Sequence, residues 1–186
     1  MTRQILKPEF FDRPTLEVAR DLLGVQLCVR RAPGRVERYQ ITEVEAYDGP
    51  DDRASHASRG RTERNAPMFG PPGHWYVYLC YGLHWMLNVV TGPVGYPAAV
   101  LIRGVVGHDG PAKLTKALGV DRRFNDRSAA SRTGLWLEAG ETVPDRLVRR
   151  LPRVGVDYAG EWAGRPYRLV VASDADVRSG NQFVSE

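Results

Sequence analysis

The chain has 186 residues, a net charge of +4 and an isoelectric point near 9.3. This length suits one domain with a substantial core, and the modest basic excess permits a nucleic-acid partner without establishing one. The two cysteines give no disulfide framework and no metal-ligand spacing, and no apolar stretch is long enough to span a membrane, so we expect a cytoplasmic protein.

The first predicted elements are a helix and a β-hairpin. In D-R-P-T-L-E-V-A-R-D-L-L-G, Asp12 is the expected cap and Gly24 the stop. The apolar stripe between them consists of Leu16, Ala19, Leu22 and Leu23. The run V-Q-L-C-V-R-R then predicts a strand, A-P-G-R a turn, and V-E-R-Y-Q-I-T-E-V-E-A-Y an antiparallel return.

The return strand carries the most informative stretch of the chain. Alternation predicts one face with Tyr39, Ile41, Glu43, Glu45 and Tyr47, and the other with Thr42, Val44 and Ala46. Repulsion between the two carboxylates should raise the pKa of at least one. A turn from residue 48 to 51 ends the strand, and His56 follows. This pattern indicates a site that activates water beside a flat ligand; the alternative is a solvated edge with ordinary surface glutamates.

Residues 58–72 form a Gly-, Pro- and Arg-rich segment without apolar periodicity. We predict a loop, long enough to suggest a function. Arg59, Arg61 and Arg64 are candidates for phosphate contacts. The alternative is a solvated basic loop.

Residues 73–91 are the most aromatic part of the chain. Two strand-like runs flank a central break at Gly82, so we predict a hairpin with its tip there. Tyr81 and Leu83 would be bulky residues at an exposed tip, which is typical of a contact surface. Inserted between base steps, the tip would act as a wedge. The alternative is a continuous buried strand or helix with Tyr81 in the core.

The run P-A-A-V-L-I-R-G-V-V predicts another strand, with Leu101 and Arg103 on one face. A charge in such a run is rarely buried without a partner, so we expect a carboxylate or an ordered water beside Arg103. H-D-G-P-A-K-L-T-K-A-L-G predicts a short helix with Lys113 in its first turn. A helix N-terminus with a nearby lysine can hold a phosphate.

The remaining chain is predicted to be less regular. Residues 120–135 form a polar segment, L-W-L-E-A-G a short strand or turn, and V-P-D-R-L-V-R-R-L a brief amphipathic segment. A glycine-rich turn region and a last strand follow, and the tail from Ser179 is expected to fray.

Five ordered motifs resemble those of one enzyme family. E-V-E-A-Y-D-G-P-D-D-R-A-S-H is similar to the active-site signature of the alkyladenine DNA glycosylase family, the 3-methyladenine DNA glycosylases of the mammalian type. Four further segments resemble the family's other motifs in order: M-F-G-P-P-G-H-W-Y-V-Y-L-C-Y-G-L-H-W-M-L-N, V-L-I-R, G-P-A-K-L-T-K-A-L-G and R-V-G-V-D-Y-A-G-E-W-A. The resemblance extends from Leu16 to Val171.

The resemblance implies a single α+β domain over residues 1–186, with a curved, mainly antiparallel β-sheet, flanking short helices and a protruding β-hairpin that enters the DNA minor groove. We expect a monomer without metal or other cofactor, without a membrane partner, acting on double-stranded DNA that contains damaged purines. The expected reaction is hydrolysis of the N-glycosidic bond of a flipped base, which leaves an abasic site. The sequence does not fix which alkylated or deaminated purines are preferred.

The resemblance also implies residue roles. Glu45 matches the residue that activates water, and Arg103 the arginine that helps to hold it. Tyr47 and His56 match the residues that bracket the base, one by stacking and one by hydrogen bonding. The other implied contacts are Tyr78 on the opposite face of the base, Asn88 as a purine-discriminating amide, and Tyr81 as the residue that fills the gap in the duplex. Leu101 is expected beside the base and Leu83 beside the wedge, although Leu83 and His84 differ from the pair expected in animal members.

Two other functions remain open from the residues. One is a non-catalytic nucleic-acid-binding domain that uses the same aromatic and basic surface. The other is a small-molecule purine nucleoside hydrolase. Glu45 and Arg103 favour a catalytic function over a purely binding one. The arginine-rich loop and the Tyr81 hairpin favour a polymeric substrate over a small molecule. Because no lysine lies in the motif, a Schiff-base lyase step is not expected.

Overall fold

The structure is a computed structural model, and it describes residues 4–172. It contains three short α-helices: Pro8–Phe11 (α1), Thr15–Leu22 (α2) and Pro111–Leu118 (α3). The strands are Gln26–Ala32 (β1), Arg35–Asp48 (β2), Trp75–Cys80 (β3), His84–Val90 (β4), Ala98–Val105 (β5), His108–Asp109 (β6), Leu135–Glu138 (β7), Val148–Leu151 (β8) and Arg168–Val171 (β9). The predicted α+β class, a large antiparallel sheet with few short helices, is confirmed.

All these strands join one sheet, and β2 is its centre. The strand order is β3-β4-β5-β2-β1-β7; in addition β6 pairs with β5, and β9 joins β2 to β8. Every named strand pair is antiparallel. The first half of β2 pairs with β1, whereas its second half pairs with β5 and β9. The E-V-E-A-Y run therefore lies at the middle of the sheet.

Two register shifts interrupt the pairing of β2 with β5 and change which side chains share a face. They leave Thr42 on β2 and Arg103 on β5 without a direct partner across this pair. Such bulges shift the alternation of side chains and re-aim them. The prediction that Ile41 shares the face of Glu45 is therefore wrong, because Ile41 packs in the main core with Val44.

The main core lies between the sheet and helices α2 and α3. In α2 the buried side chains include Val18, Ala19 and Leu22. Ala19 and Leu22 belong to the predicted apolar stripe, whereas Val18 does not. The cap position is occupied by Pro14, so the predicted capping role of Asp12 is wrong. Asp12 instead follows α1, a single helical turn that the sequence pattern did not predict.

The predicted hairpin of β3 and β4 is confirmed, and the buried alternative is wrong. Tyr81 is 92% exposed and Leu83 is 74% exposed at the tip. The backbone angle φ is +50° at Tyr81 and +69° at Gly82. Positive φ at both central residues is the geometry of a tight hairpin turn whose twist matches the flanking strands. The turn therefore presents a large apolar ring to solvent.

The less regular segments contain short 3₁₀ turns: Ala66–Phe69 in the arginine-rich loop, and Arg122–Phe124 and Ser131–Thr133 in the polar segment. The predicted amphipathic segment consists of the 3₁₀ turn Asp145–Leu147 followed by β8. No helix within residues 4–172 is long and apolar enough to cross a membrane. The tail from Ser179 lies outside the described residues.

Candidate active site

A cavity of about 360 Å³ opens beside the second half of β2. Strand pairing explains which residues meet there. Glu45 on β2 pairs with Leu101 on β5, which pairs with Asn88 on β4, which in turn pairs with Tyr76 on β3. Paired residues in a sheet point to the same face, so one row across four strands lines the cavity.

Glu45 is a fully buried carboxylate with both oxygens engaged. Its exposure is 0%, and it lines the cavity. Oε1 accepts a hydrogen bond from the backbone N–H of Val154 at 2.8 Å, and Oε2 accepts one from the hydroxyl of Tyr47 at 2.9 Å. These contacts fix the orientation of the carboxylate within a cavity wide enough for a ligand.

Arg103 has the carboxylate partners that the sequence predicted. Its Nε donates to Glu43 at 2.9 Å, and one terminal nitrogen lies 3.4 Å from Oε1 of Glu45. The bulge in β5 gives this side chain access to both acids. Glu43 also pairs with Arg168 and does not line the cavity, so the two glutamates have different surroundings.

The pKa of Glu45 is raised, chiefly because burial disfavours its charged form. Arg103, the N–H of Val154 and the hydroxyl of Tyr47 oppose that effect, and repulsion from Glu43 is the smallest contribution. The predicted direction of this pKa shift is correct, but its predicted cause, repulsion between the two carboxylates, contributes less than burial. A carboxylate with a raised pKa in a cavity is a candidate general base.

Aromatic rings form the walls of the cavity. The three rings expected to contact the base all line it: Tyr47, His56 and Tyr78. Their contacts with a base remain a prediction. The rings of His56 and Tyr78 meet edge to face with centroids 4.6 Å apart. Tyr76 was not predicted: its hydroxyl lies 2.9 Å from Nδ1 of His56, and it was recognisable only as an alternate residue of the Y-V-Y run.

Enclosure changes the ionisation of these rings. Burial raises the pKa of Tyr47 well above its ordinary value, and it also raises the pKa values of Tyr76 and Tyr78. Burial, followed by the charge of Arg64, lowers the pKa of His56, whose outer edge remains exposed. At neutral pH the walls are therefore uncharged, which suits stacking with a flat ring.

Asn88 and Leu101 lie in the row of paired residues beside Glu45. Both are 3% exposed and line the cavity. The amide nitrogen of Asn88 donates to the carbonyl of Tyr76 at 2.9 Å. This bond fixes the amide plane, so Asn88 has the rigidity that discrimination between ligands requires. Its predicted role remains a prediction.

The predicted DNA contacts are spread over the rim. Tyr81 and Arg64 line the cavity, and the Arg64 guanidinium lies 5.2 Å from the centroid of the Tyr78 ring. Arg59 lines a neighbouring cleft. Three of the predicted contacts lie outside both the cavity and the cleft. The guanidinium of Arg61 lies over the ring of Phe69, and Leu83 lies beside the hairpin tip. Lys113 is exposed in the first turn of α3. Their contacts with DNA remain predictions.

The sequence did not single out the residues that support Glu45 from the C-terminal part of the chain. Val154 contacts Glu45, and the neighbouring Arg153 forms a buried ion pair with Asp52. Tyr158, 71% exposed, also lines the cavity. Arg153 and Val154 belong to the R-V-G-V motif, which was the only available signal, but nothing local to that motif indicates its distant partners.

The chemistry available to the site is that of a carboxylate, an arginine and aromatic rings. Within residues 4–172, no three His, Cys, Asp or Glu side chains are grouped as a metal site. The three lysines of the chain, all in that range, do not line the cavity. The arrangement is therefore suited to activation of water rather than to an amine nucleophile.

We predict an acid limb in the pH dependence of catalysis that reflects Glu45. A general base acts as the carboxylate, so activity is lost as the pH falls through the raised pKa. The midpoint of the limb should therefore lie above the ordinary value of 4.5. Single-turnover rates on a substrate that does not itself titrate in this range would measure it. A rate that is level down to the ordinary glutamate value would contradict the assignment.

Comparisons with known proteins identify a family and relatives for this chain. The sequence model of the methylpurine-DNA glycosylase family matches residues 9–109 and 106–175. A protein of Methanocella arvoryzae is 46% identical over 185 residues, covering 89% of this chain and 91% of its own. One of Myxococcus xanthus is 46% identical over 184 residues, covering 94% of each chain. One of Streptomyces avermitilis is 43% identical over 197 residues, covering 94% and 91%.

All three relatives are provisionally named 3-methyladenine DNA glycosylases. The matches extend over nearly the whole described range and include both the E-V-E-A-Y segment of β2 and the R-V-G-V motif. The chain belongs to the methylpurine-DNA glycosylase family.

Proposed function

We propose that the protein is a monofunctional DNA repair glycosylase that hydrolyses the N-glycosidic bond of damaged purines such as 3-methyladenine in duplex DNA. The observation that carries this proposal is the buried Glu45 carboxylate, held by Val154 and Tyr47 inside an aromatic cavity beside an exposed Tyr81. The reaction and substrate class are those that the resemblance to the mammalian-type enzymes implies. The names of the bacterial and archaeal relatives support them.

A glycosidic bond inside a duplex is inaccessible, so the damaged nucleotide must rotate out of the helix. Unstacking requires a few kcal/mol, roughly, and stacking within the protein offsets about 1–3 kcal/mol per base. In our proposal the base enters the cavity between the rings of Tyr47, His56 and Tyr78, and Tyr81 occupies the gap in the duplex. The size of the cavity, about 360 Å³, is compatible with one base.

Hydrolysis then requires a water molecule and a stabilised sugar cation. Glu45 as carboxylate takes a proton from water and stabilises the oxocarbenium-like transition state. Arg103, 3.4 Å from Glu45, helps to orient the carboxylate and the water. Alkylated purines such as 3-methyladenine carry positive charge, so they leave readily and interact favourably with aromatic faces.

The DNA backbone requires a basic surface beside the cavity. A cleft next to it is lined by Arg53, Ser55, His56, Ser58, Arg59 and Tyr158. Among the described residues, neither Arg53 nor Arg59 has an ion-pair partner. Unpaired guanidinium groups next to the base pocket are suited to the phosphates that flank a flipped nucleotide. We therefore propose double-stranded DNA as the partner; that the active species is a monomer remains an expectation from the resemblance.

The test is the product of the reaction on a 5′-labelled duplex with a single 3-methyladenine or hypoxanthine. We expect release of the free base and an intact strand that breaks only after alkali, because no lysine lines the cavity. Strand breaks without alkali, together with an adduct trapped by borohydride, would reveal an amine nucleophile. Binding without base release would favour the non-catalytic alternative, and release from free nucleosides alone would favour the small-molecule hydrolase.

A further inference from the structure

Arg153 carries a fully enclosed charge that does not line the cavity. Its side chain and that of Asp52 are both 0% exposed. The two guanidinium terminal nitrogens bind the two carboxylate oxygens of Asp52, which gives a bidentate pair. Asp52 also accepts hydrogen bonds from the N–H groups of Asp48 and Ala54, so it organises the turn that follows β2. The ion pair thus joins this turn to the R-V-G-V segment.

The same guanidinium contacts the residues that flank Glu45 on β2. One terminal nitrogen donates to the carbonyl of Ala46 at 2.9 Å. The guanidinium carbon lies 4.8 Å from the centroid of the Tyr47 ring, a cation–π distance in a desolvated site. Arg153 therefore restrains both the backbone after Glu45 and the ring whose hydroxyl donates to Glu45.

The peptide unit that follows Arg153 completes the arrangement. The N–H of Val154 donates to Oε1 of Glu45 at 2.8 Å, so fixing Arg153 also fixes the donor. We propose that Arg153, paired with Asp52, is a positioning residue that holds Tyr47 and the carboxylate of Glu45 in their working geometry. This proposal rests on the proposed glycosylase function and extends it to a residue that does not line the cavity.

Stability alone is a weak explanation for this ion pair. Desolvation of two buried charges offsets much of their attraction, and apolar pairs of similar volume are often as stable. Nε of Arg153 is buried and has no hydrogen-bond partner among the described residues, which adds to the free-energy cost of burying this charge. A buried charge in such surroundings is better explained by the geometry that it imposes on Glu45 and Tyr47.

The test uses the double variant Arg153→Met/Asp52→Asn, which removes both charges and leaves no unpaired buried ion. The two turn N–H groups bind different oxygens of Asp52, so the single oxygen of asparagine can still accept from one of them and hold part of the turn. We expect single-turnover excision at saturating DNA to slow on the order of 10²-fold, as for a 1 Å misplacement of a reacting group. The DNA concentration for half saturation should change less than the rate, since Arg153 does not line the cavity and affects base binding only through Tyr47.

The pH profile distinguishes positioning from a merely structural role. Glu45 faces Arg103 from β5, Glu43 and Tyr47 from β2, Tyr78 from β3, and the Val154 N–H and the Arg153 charge from the R-V-G-V segment. If Val154 and the Arg153 charge withdraw, the carboxylate loses support and the acid limb should move to higher pH. Arg153→Lys, which keeps the charge but loses the bidentate pair, should restore part of the rate and part of the shift.

Arg165→Met is the matched control. Arg165 lies 3.6 Å over the ring of Trp162 in the same region, but it contacts neither Tyr47 nor Glu45. A comparable loss in Arg165→Met would overturn the proposal, as would a folded double variant with wild-type rate and acid limb. If the double variant does not fold, the single-turnover rate and the acid limb of Arg153→Lys test the proposal instead. Wild type is assayed in parallel, and its failure to release base would refute the glycosylase function instead.

Discussion

Replacing Glu45 by glutamine should leave lesion binding intact and nearly abolish excision. Loss of general-base assistance alone is expected to slow hydrolysis on the order of 10²–10⁴-fold, and loss of cation stabilisation should slow it further. Gln keeps the size of Glu and an oxygen that can accept from the N–H of Val154. Single-turnover excision of hypoxanthine or 3-methyladenine measures the rate, and titration of the lesion duplex measures binding.

Glu43→Gln is the matched control for that experiment. Glu43 is two residues from Glu45 and shares Arg103, but it does not line the cavity. Its loss loosens Arg103 without removing the base, so a clearly smaller rate defect is expected. A Glu45→Gln rate within a factor of two of wild type would refute the mechanism. An inactive Glu43→Gln variant together with an active Glu45→Gln variant would mean that Glu43 is the general base.

The raised pKa of Glu45 also gives an expected sign for stability. A group whose pKa is higher in the folded than in the unfolded state destabilises the fold as the pH rises above the unfolded pKa, and the whole effect is present above the folded pKa. At neutral pH the Glu45 carboxylate should therefore lower the free energy of unfolding. Glu45→Gln is expected to melt at the same temperature as wild type or higher, and this would separate loss of activity from loss of folding.

Much of this site could be predicted from the sequence because its main residues lie on strands with local signals. Glu45 and Tyr47 follow from alternation near the end of β2, and Arg103 from a charge inside an apolar run. The hairpin tip follows from Gly82 between two aromatic runs. Each inference needs only the neighbouring residues, and the structure brings Glu45, Tyr47 and Arg103 to one cavity.

The parts that could not be predicted depend on contacts between distant segments. Asp52 and Arg153 are 101 residues apart, and no local pattern in either segment indicates the other. The two bulges in the β2–β5 pair depend on strand register, so simple alternation misassigned Ile41. The cause of the raised Glu45 pKa was misjudged for a similar reason, since burial is set by the assembled sheet rather than by the adjacent Glu43.

Replacing Tyr81 by serine should slow excision most where unstacking is most difficult. The ring is 92% exposed at the hairpin tip, on the rim of the cavity. If it fills the gap left by a flipped nucleotide, its removal forfeits about 1–3 kcal/mol of stacking, roughly 5- to 150-fold in the flipped population. In a fully paired duplex the rate should fall accordingly. At a mismatched lesion unpairing is easier, so the defect should shrink.

Tyr81→Phe and thermal melting provide the controls for this prediction. Phe keeps the ring, so its rates should stay close to wild type on both duplexes. Serine keeps a β-carbon at a residue with φ of +50°, so the backbone preference of the turn changes little. With so exposed a ring, the melting temperature of Tyr81→Ser should match wild type. A defect of equal size on paired and mismatched lesions, in a protein of normal stability, would exclude the wedge and limit Tyr81 to the rim of the pocket.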